Sequence, residues 1–337
     1  MADKKVVKAQ KAGEGWALYL GDCCQVLPQL PSESVGFSIF SPPFCDLFTY
    51  SEDPEDMGNS RTKDEFFRHF SFLIEQLHRL LLPGRVVAVH CAELPIRKQD
   101  SGYIGQYDFP GALIRCFESF GFIFHSRHCI WKDPLVLFMR TKLAGLAHKQ
   151  IVSDSSLCRT GNPDYLLAFR KKGENPVPIR HPEGLSVYHG QRKVPRELVQ
   201  KYGGRNVPPN KNKMSHWIWQ KYASPVWDDI RQMNVLKYRP AREKDDERHI
   251  CPLQLDVIER CVELWSTKGD VVLTPFMGVG SEVYVAVKNG RKAVGVELKS
   301  SYFRQALRNL RTLEASKAKK DHGLGAFTEG GGGEGDD

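Results

Sequence analysis

Val35-Gly-Phe-Ser-Ile-Phe-Ser-Pro-Pro-Phe44 is a strand that stops on two prolines. Val35, Phe37, Ile39 and Phe40 make a short, nearly continuous apolar run of β-forming residues, the pattern of a strand covered on both faces of its sheet. Pro42 and Pro43 cannot donate to a ladder, so the strand ends there. In a parallel α/β sheet the carboxyl end of a strand is where ligands sit. Ser41-Pro-Pro-Phe44 offers a hydroxyl, the rigid Pro42 carbonyl and a flat aromatic face. That set suits a planar ring carrying an amino group: the two oxygens accept from the NH2 while Phe44 stacks on the ring. An ordinary strand exit through a Pro-Pro loop accounts for the same residues equally well. A second feature has to decide.

It stands at Gly269-Asp-Val-Val-Leu-Thr-Pro-Phe-Met-Gly-Val-Gly-Ser281, where a second apolar strand runs into a glycine-bearing turn and then a helix. Gly278 and Gly280 let the backbone come close to a ligand, and Ser281 is placed to cap the helix whose first amides face it. The turn is not the dinucleotide fingerprint, because Val283 stands where the third glycine belongs. The next strand, Ala293-Val-Gly-Val-Glu297, ends on an acid placed to accept both hydroxyls of a ribose.

Working outward, residues 1–15 are polar and read as a loose basic tail, and residues 16–20 as a first strand followed by Asp22. Residues 23–30 suit a short helix. Residues 45–62, with Asp46, Tyr50 and an acidic run, read either as a lid over the site or as a plain solvated loop. From residue 63 to 82, Phe66, Phe67, Phe70, Leu73, Ile74, Leu77 and Leu81 recur at three and four, an amphipathic helix stopped by Pro83-Gly84. Strands are expected at 85–90, 122–131 and 165–169 and a helix at 109–120. Trp131-Lys-Asp-Pro134 forms a second strand-exit loop. This alternation argues a doubly wound sheet. A last helix is expected at 302–313, and residues 314–337, low in complexity and ending in glycines and acids, are expected to be disordered.

Between residues 171 and 248 periodicity fades and basic residues crowd: 17 Lys plus Arg stand against 9 Asp plus Glu, a net +8 that equals the charge of the whole chain. Basic charge interleaved with Tyr188, Tyr202, Trp217, Trp219, Tyr222 and Trp227 suits phosphate contact plus base stacking. The other account of those rings is a small core beneath a solvated face.

Together these stretches resemble the S-adenosylmethionine-dependent DNA amino-methyltransferases of the permuted β class, over about residues 16–313. Ser41 to Phe44 match that family's catalytic Asp/Asn/Ser-Pro-Pro-aromatic tetrapeptide. Thr274 to Gly280 match its cofactor turn Asp-Pro-Phe-x-Gly-x-Gly, with Thr274 in place of the usual acid. Glu297 matches its ribose-binding acid, Leu20-Gly21-Asp22 is similar to its Gly-Asp near the adenine, and His249-Ile-Cys-Pro-Leu-Gln-Leu255 loosely resembles the segment covering the methionine end. The resemblance implies a mostly parallel, seven-stranded, Rossmann-like sheet in circularly permuted order: a catalytic half at 16–170, an inserted DNA-recognition region at 171–248 and a cofactor half at 249–313. Implied site residues are Ser41, Pro42, Pro43 and Phe44 for catalysis. For S-adenosyl-L-methionine they are Asp22, Pro275, Phe276, Gly278, Gly280, Ser281 and Glu297; the DNA candidates Lys211, Lys213, Trp217 and Trp219 follow instead from the charge and interleaved rings of residues 171–248. The reaction implied is transfer of a methyl group to N4 of cytosine, or N6 of adenine, on a base flipped out of double-stranded DNA, as in restriction-modification. Ser before Pro-Pro leans toward cytosine. Methylation at C5 would need a Pro-Cys nucleophile, and the chain has no such dipeptide. Two alternatives stay open: a catalytically silent binder of the same fold, with Thr274 as its sign, and a methyltransferase acting on RNA or protein.

Composition fits an intracellular enzyme, and the resemblance implies a cytoplasmic, nucleoid-associated one of bacterial or phage origin. No run of eighteen apolar residues occurs and the first residues lack an apolar signal segment, so neither export nor membrane spanning is expected. The nine cysteines are scattered without a Cys-x-x-Cys pair, which indicates neither disulfide framework nor zinc. No metal is expected, and a homodimer stays open.

Overall fold

A computed structural model describes residues 6–44, 56–96, 102–141, 144–242 and 252–325. The acidic loop at 45–55, with Asp46 and Tyr50, the His249 end of the segment before Leu255 and the glycine-rich residues 326–337 lie outside them.

Ala9–Gly13 (β1) pairs antiparallel with Trp16–Leu20 (β2) through a two-residue turn in which Gly15 has φ +77°. Residues 9–13 therefore supply a strand where a loose tail was expected. Val35–Phe40 (β3) is fully buried, as its apolar run predicts. The helix Lys63–Leu80 is capped by Thr62, whose Oγ1 accepts from Glu65 N at 3.1 Å. It buries Phe66, Phe70, Leu73, Ile74 and Leu77 and passes directly into Leu81–Ala92 (β4). Pro83-Gly84 does not end the element but lies inside β4, where the pairing with β3 slips between Val35 and Phe37. Leu94–Ile96 (β5) and Gly105–Tyr107 (β6) form a separate small hairpin. The helix Phe109–Ser119, then Phe122–Ile130 (β7) and Asp164–Lys171 (β8), follow as expected. Val226–Trp227 (β9), the helix Leu255–Trp265, Val271–Thr274 (β10), the helix Ser281–Lys288, Lys292–Glu297 (β11) and the helix Ser300–Gly325 complete the chain.

The main sheet has nine strands in the order β1-β2-β11-β10-β3-β4-β8-β7-β9. The seven expected strands are its interior, and β1 and the two-residue β9 extend its two edges. Five pairings are parallel; β1–β2, β4–β8 and β7–β8 are antiparallel. One apolar layer joins Phe37 and Ile39 to the helices at 255–265, 281–288 and 300–325. The other joins Phe40 to the helices at 63–80 and 109–119. Chain order reverses between β10 and β3, the place where an open α/β sheet holds its ligand.

The last helix runs on to Gly325, past Glu314 where disorder was expected to begin. Leu313 is buried and Glu314 Oε1 accepts from Trp16 Nε1 at 2.8 Å, so a distant strand holds the helix past its apolar stripe. Residues 171–242 build a small core of Leu185, Met214, Ile218 and Tyr222 against Leu264. Arg260 pins it: fully buried, the guanidinium donates to Asp229 Oδ1 (2.8 Å) and to the His189 carbonyl (2.7 Å) and lies over the Tyr222 and Trp227 rings. Among the described residues no helix is long and apolar enough to cross a membrane.

Candidate active site

β3 and β10 run parallel, with Leu273 opposite Ser38 and Ser38 Oγ donating to the Leu273 carbonyl at 2.9 Å. The Ser41 tetrapeptide and the glycine turn therefore leave the sheet side by side. The turn is built by Gly278 (φ +54°) and Gly280 (φ +85°). A Cβ on Gly280 would stand 3.0 Å from Ala306 Cβ, whereas one on Gly278 would meet nothing within 4 Å among the described residues. Gly280 serves close packing and Gly278 leaves open space beside the backbone.

Gly280, left-handed, is also the N-cap of the helix Ser281–Lys288, which has no side-chain cap among the described residues. The expectation that Ser281 caps this helix is thus corrected: it occupies the first helical position, buried, with no partner on its Oγ among the described residues. Thr274, buried at the end of β10, likewise has an unpartnered hydroxyl there. Pro275 and Phe276 follow, Phe276 lying against Phe40 with ring centroids 5.7 Å apart.

Register brings the other cofactor candidates to the same place. Leu20 pairs with Glu297, and Gly21 N donates to the Glu297 carbonyl at 2.9 Å, so Asp22 emerges beside that acid. Asp22 Oδ1 accepts from Cys24 N at 3.0 Å and caps the short helix Cys23–Val26. The Glu297 carboxylate accepts from Gly278 N (2.7 Å) and Lys299 N (2.8 Å). Burial pushes its pKa up to about 7, with the charge of Asp56 adding to the rise and those two amides opposing it. Glu282, one residue past Ser281, is buried more deeply still, and burial carries its acid to about 8.

On the catalytic side Pro42 and Pro43 are buried, Ser41 and Phe44 half-buried, and Phe44 lies against Phe109 with centroids 6.3 Å apart. Ser41 does not stand alone. Its Oγ is 2.9 Å from His90 Nδ1, and His90 Nε2 is 3.1 Å from Asp164 Oδ2, an ion-pair distance without the angle of a good hydrogen bond. Asp164 Oδ1 accepts from Lys132 Nζ at 2.6 Å. Burial alone would raise the Asp164 pKa; Lys132 and then His90 outweigh it and hold the acid at about 2. These partners went unread in the sequence. The available signal was position: His90 nears the end of β4, Asp164 opens β8 and Lys132 follows β7, the three strands that succeed β3 across the sheet.

The four DNA candidates separate. Lys211 and Lys213 are exposed, and Trp219 is 59% exposed on the helix Lys213–Tyr222. Trp217 instead packs on Tyr188 with centroids 4.9 Å apart and lines the small core. Tyr222 is fully buried in that small core, and Trp227 is fully buried in the main apolar layer with Phe37 and Ile39, so neither ring is open to a base.

A family profile described as DNA methylase, of the N6 and N4 methyltransferases, matches residues 35–308. Type II methyltransferase M.BglII of Bacillus subtilis is 27% identical over 289 residues, 85% of this chain and 66% of its own length, so the chain spans just under two thirds of that relative. TTHA0409 of Thermus thermophilus, solved in complex with S-adenosyl-L-methionine, superposes with a TM-score of 0.57 at 22% identity, covering 88% of this chain and 93% of that one. The cytosine-N4-specific PvuII DNA methyltransferase gives a TM-score of 0.57 at 16% identity, covering 88% and 86%. Both structures share the α/β fold with its mostly parallel sheet.

Proposed function

We infer the function from one premise: the chain belongs to the DNA methylase family of N6 and N4 methyltransferases. It transfers a methyl group from S-adenosyl-L-methionine to an exocyclic amino group of a base flipped out of duplex DNA. Ser41 favours cytosine N4, with adenine N6 the alternative. The observation that carries this is the side-by-side exit of the Ser41 tetrapeptide and the glycine turn from β3 and β10.

The residues present fit the cofactor. Gly278 leaves open space at the turn, and the buried hydroxyls of Thr274 and Ser281 lack, among the described residues, partners that a polar ligand would supply. Glu297 would take the ribose hydroxyls, Asp22 would lie near the adenine, and the backbone of Pro275 to Gly280 would line the cofactor. When bound, S-adenosylmethionine supplies an electrophilic methyl group on sulfur. Ser41 Oγ and the Pro42 carbonyl would hold the two N–H bonds of the target and turn its lone pair, otherwise delocalised into the ring, toward that methyl. Phe44 would replace the stacking the base loses on leaving the helix. The permuted order of the two halves, and target recognition by residues 171–248, belong to the same proposal, as does work on DNA in the cytoplasm, by a monomer or a homodimer.

The test is transfer of radiolabelled methyl to duplex DNA, followed by digestion to nucleosides to name the base. Cofactor binding without label in DNA would favour the silent binder, label only in RNA or protein would move the substrate, and full activity of Ser41→Ala would remove the tetrapeptide from catalysis.

A further inference from the structure

We propose that the buried His90–Asp164 pair positions the Ser41 hydroxyl as an acceptor toward the target amino group and takes up the proton that methylation releases. This rests on the amino-methyltransferase function above. Ser41, His90, Asp164 and Lys132 come from four neighbouring strand ends, and their side chains form one chain of contacts at 2.9, 3.1 and 2.6 Å. His90 and Asp164 are 8% and 4% exposed, so water supplies little of what they exchange with each other.

The direction of the chain follows from its inner end. Lys132 holds one Asp164 oxygen, which keeps the carboxylate charged, and the other oxygen faces His90 Nε2. A neutral imidazole beside a carboxylate carries its proton on the nitrogen that faces it. On that tautomer His90 Nδ1 is a lone pair, and the Ser41 hydroxyl, 2.9 Å away, would be its donor. Both lone pairs of Ser41 Oγ then stay free, and one accepts the substrate N–H that the Pro42 carbonyl does not hold. Without this partner the hydroxyl could turn its own proton toward the amino nitrogen and consume the electron pair that must attack.

The same contacts give the proton a route. As the amino nitrogen bonds to the methyl carbon, the C–S electron pair stays on sulfur and the nitrogen becomes cationic. It sheds one N–H proton to Ser41 Oγ while the Ser41 proton passes to His90 Nδ1. Ser41 ends as it began, and His90 ends as an imidazolium facing Asp164, to be discharged to solvent. No bond to Ser41 Oγ other than O–H forms at any point.

Nitrogen-15 NMR of the His90 ring in the wild-type protein, without cofactor or DNA, reads the tautomer directly. Proton on Nε2 is expected, and proton on Nδ1 alone would overturn the proposal. Single-turnover methylation then tests the consequence. His90→Asn, which keeps an acceptor for the serine hydroxyl but cannot take a proton, is expected to lower the chemical rate about 100-fold, with KM for DNA and cofactor affinity within about twofold of wild type. Asp164→Asn is expected to shift the His90 tautomer and lower the rate by a smaller factor. A wild-type rate in His90→Asn, with Ser41→Ala impaired, would refute the relay and leave the methyltransferase function standing. No transfer to DNA by the wild-type protein would remove that function instead, and the NMR result would still decide the tautomer.

Discussion

Glu282→Gln is the substitution whose effect can be worked out most fully from the structure. Glu282 lies in the first turn of the helix Ser281–Lys288, 5% exposed, and burial, with the charge of Glu297 adding to it, carries its pKa from 4.5 to about 8. A carboxyl whose folded pKa is raised holds a proton that the unfolded chain has already lost. Its contribution to stability is therefore complete below pH 4.5 and is lost as pH rises to about 8. At about 1.36 kcal/mol per pH unit, the loss across that window is at most about 5 kcal/mol, and solvent penetration on ionisation makes about 2–3 kcal/mol a fairer expectation. Glutamine has the shape of the protonated acid and no charge to bury. Glu282→Gln should match the wild type within about 1 kcal/mol at pH 5 and exceed its stability by about 2–3 kcal/mol at pH 9. Guanidinium unfolding of both proteins at pH 5, 7 and 9 measures this. Glu297 titrates in both and cancels in the difference except through its coupling to residue 282. Parallel stability curves for the two proteins would show that Glu282 is ionised and solvated in the fold, and would refute the reasoning.

Glu297→Ala should weaken S-adenosylmethionine binding by about 1–3 kcal/mol, because a hydrogen-bonding acid is lost; calorimetry with an unchanged dissociation constant would deny it contact with the cofactor. Gly280→Ala should destabilise the protein by about 1–3 kcal/mol, since φ +85° strains any side chain and the new methyl would stand 3.0 Å from Ala306 Cβ; an unchanged denaturation midpoint would contradict the tight packing. Trp219→Ala should weaken DNA binding with stability retained, whereas Trp217→Ala should lower the denaturation midpoint, because only the first ring is exposed; equal stability losses in both would place Trp219 in the core.

The centre of the sheet was legible because β2, β3, β10 and β11 are apolar runs bounded by glycine, proline or acid, a local signal. The helix Lys63–Leu80 was legible through its period. What escaped is nonlocal. β1, Ala-Gln-Lys-Ala-Gly, has no apolar alternation and exists through its pairing with β2. The last helix outruns its apolar stripe because Trp16, nearly three hundred residues earlier, reaches Glu314. Ser281 looked like a cap, but the left-handed Gly280 beside it fills that position. The Ser41 tetrapeptide could be read from four adjacent letters, yet its partners at 90, 132 and 164 have no common spacing, and only the strand order joins them.

The same limit governs the basic segment, whose composition overstates the charge it can offer to phosphates. Lys171 is paired with Glu33, and Arg231 with Asp256 on the helix Leu255–Trp265, both acids outside the segment, so part of its cationic excess is already met by acid elsewhere in the protein. Lys211 and Lys213 are exposed at the start of the helix Lys213–Tyr222, and among the described residues no acid pairs with either. Each phosphate neutralised lowers the slope of log affinity against log salt by about 0.9. Replacing both lysines with alanine should therefore flatten that slope by up to about two and weaken all sequences alike, while Arg231→Ala should leave the slope in place and lower stability through Asp256. Fluorescence anisotropy across a salt series separates the two. An unaltered slope in the lysine double variant would move the phosphate contacts elsewhere on the protein, and a slope flattened by Arg231→Ala would mean that DNA draws this arginine away from its acid.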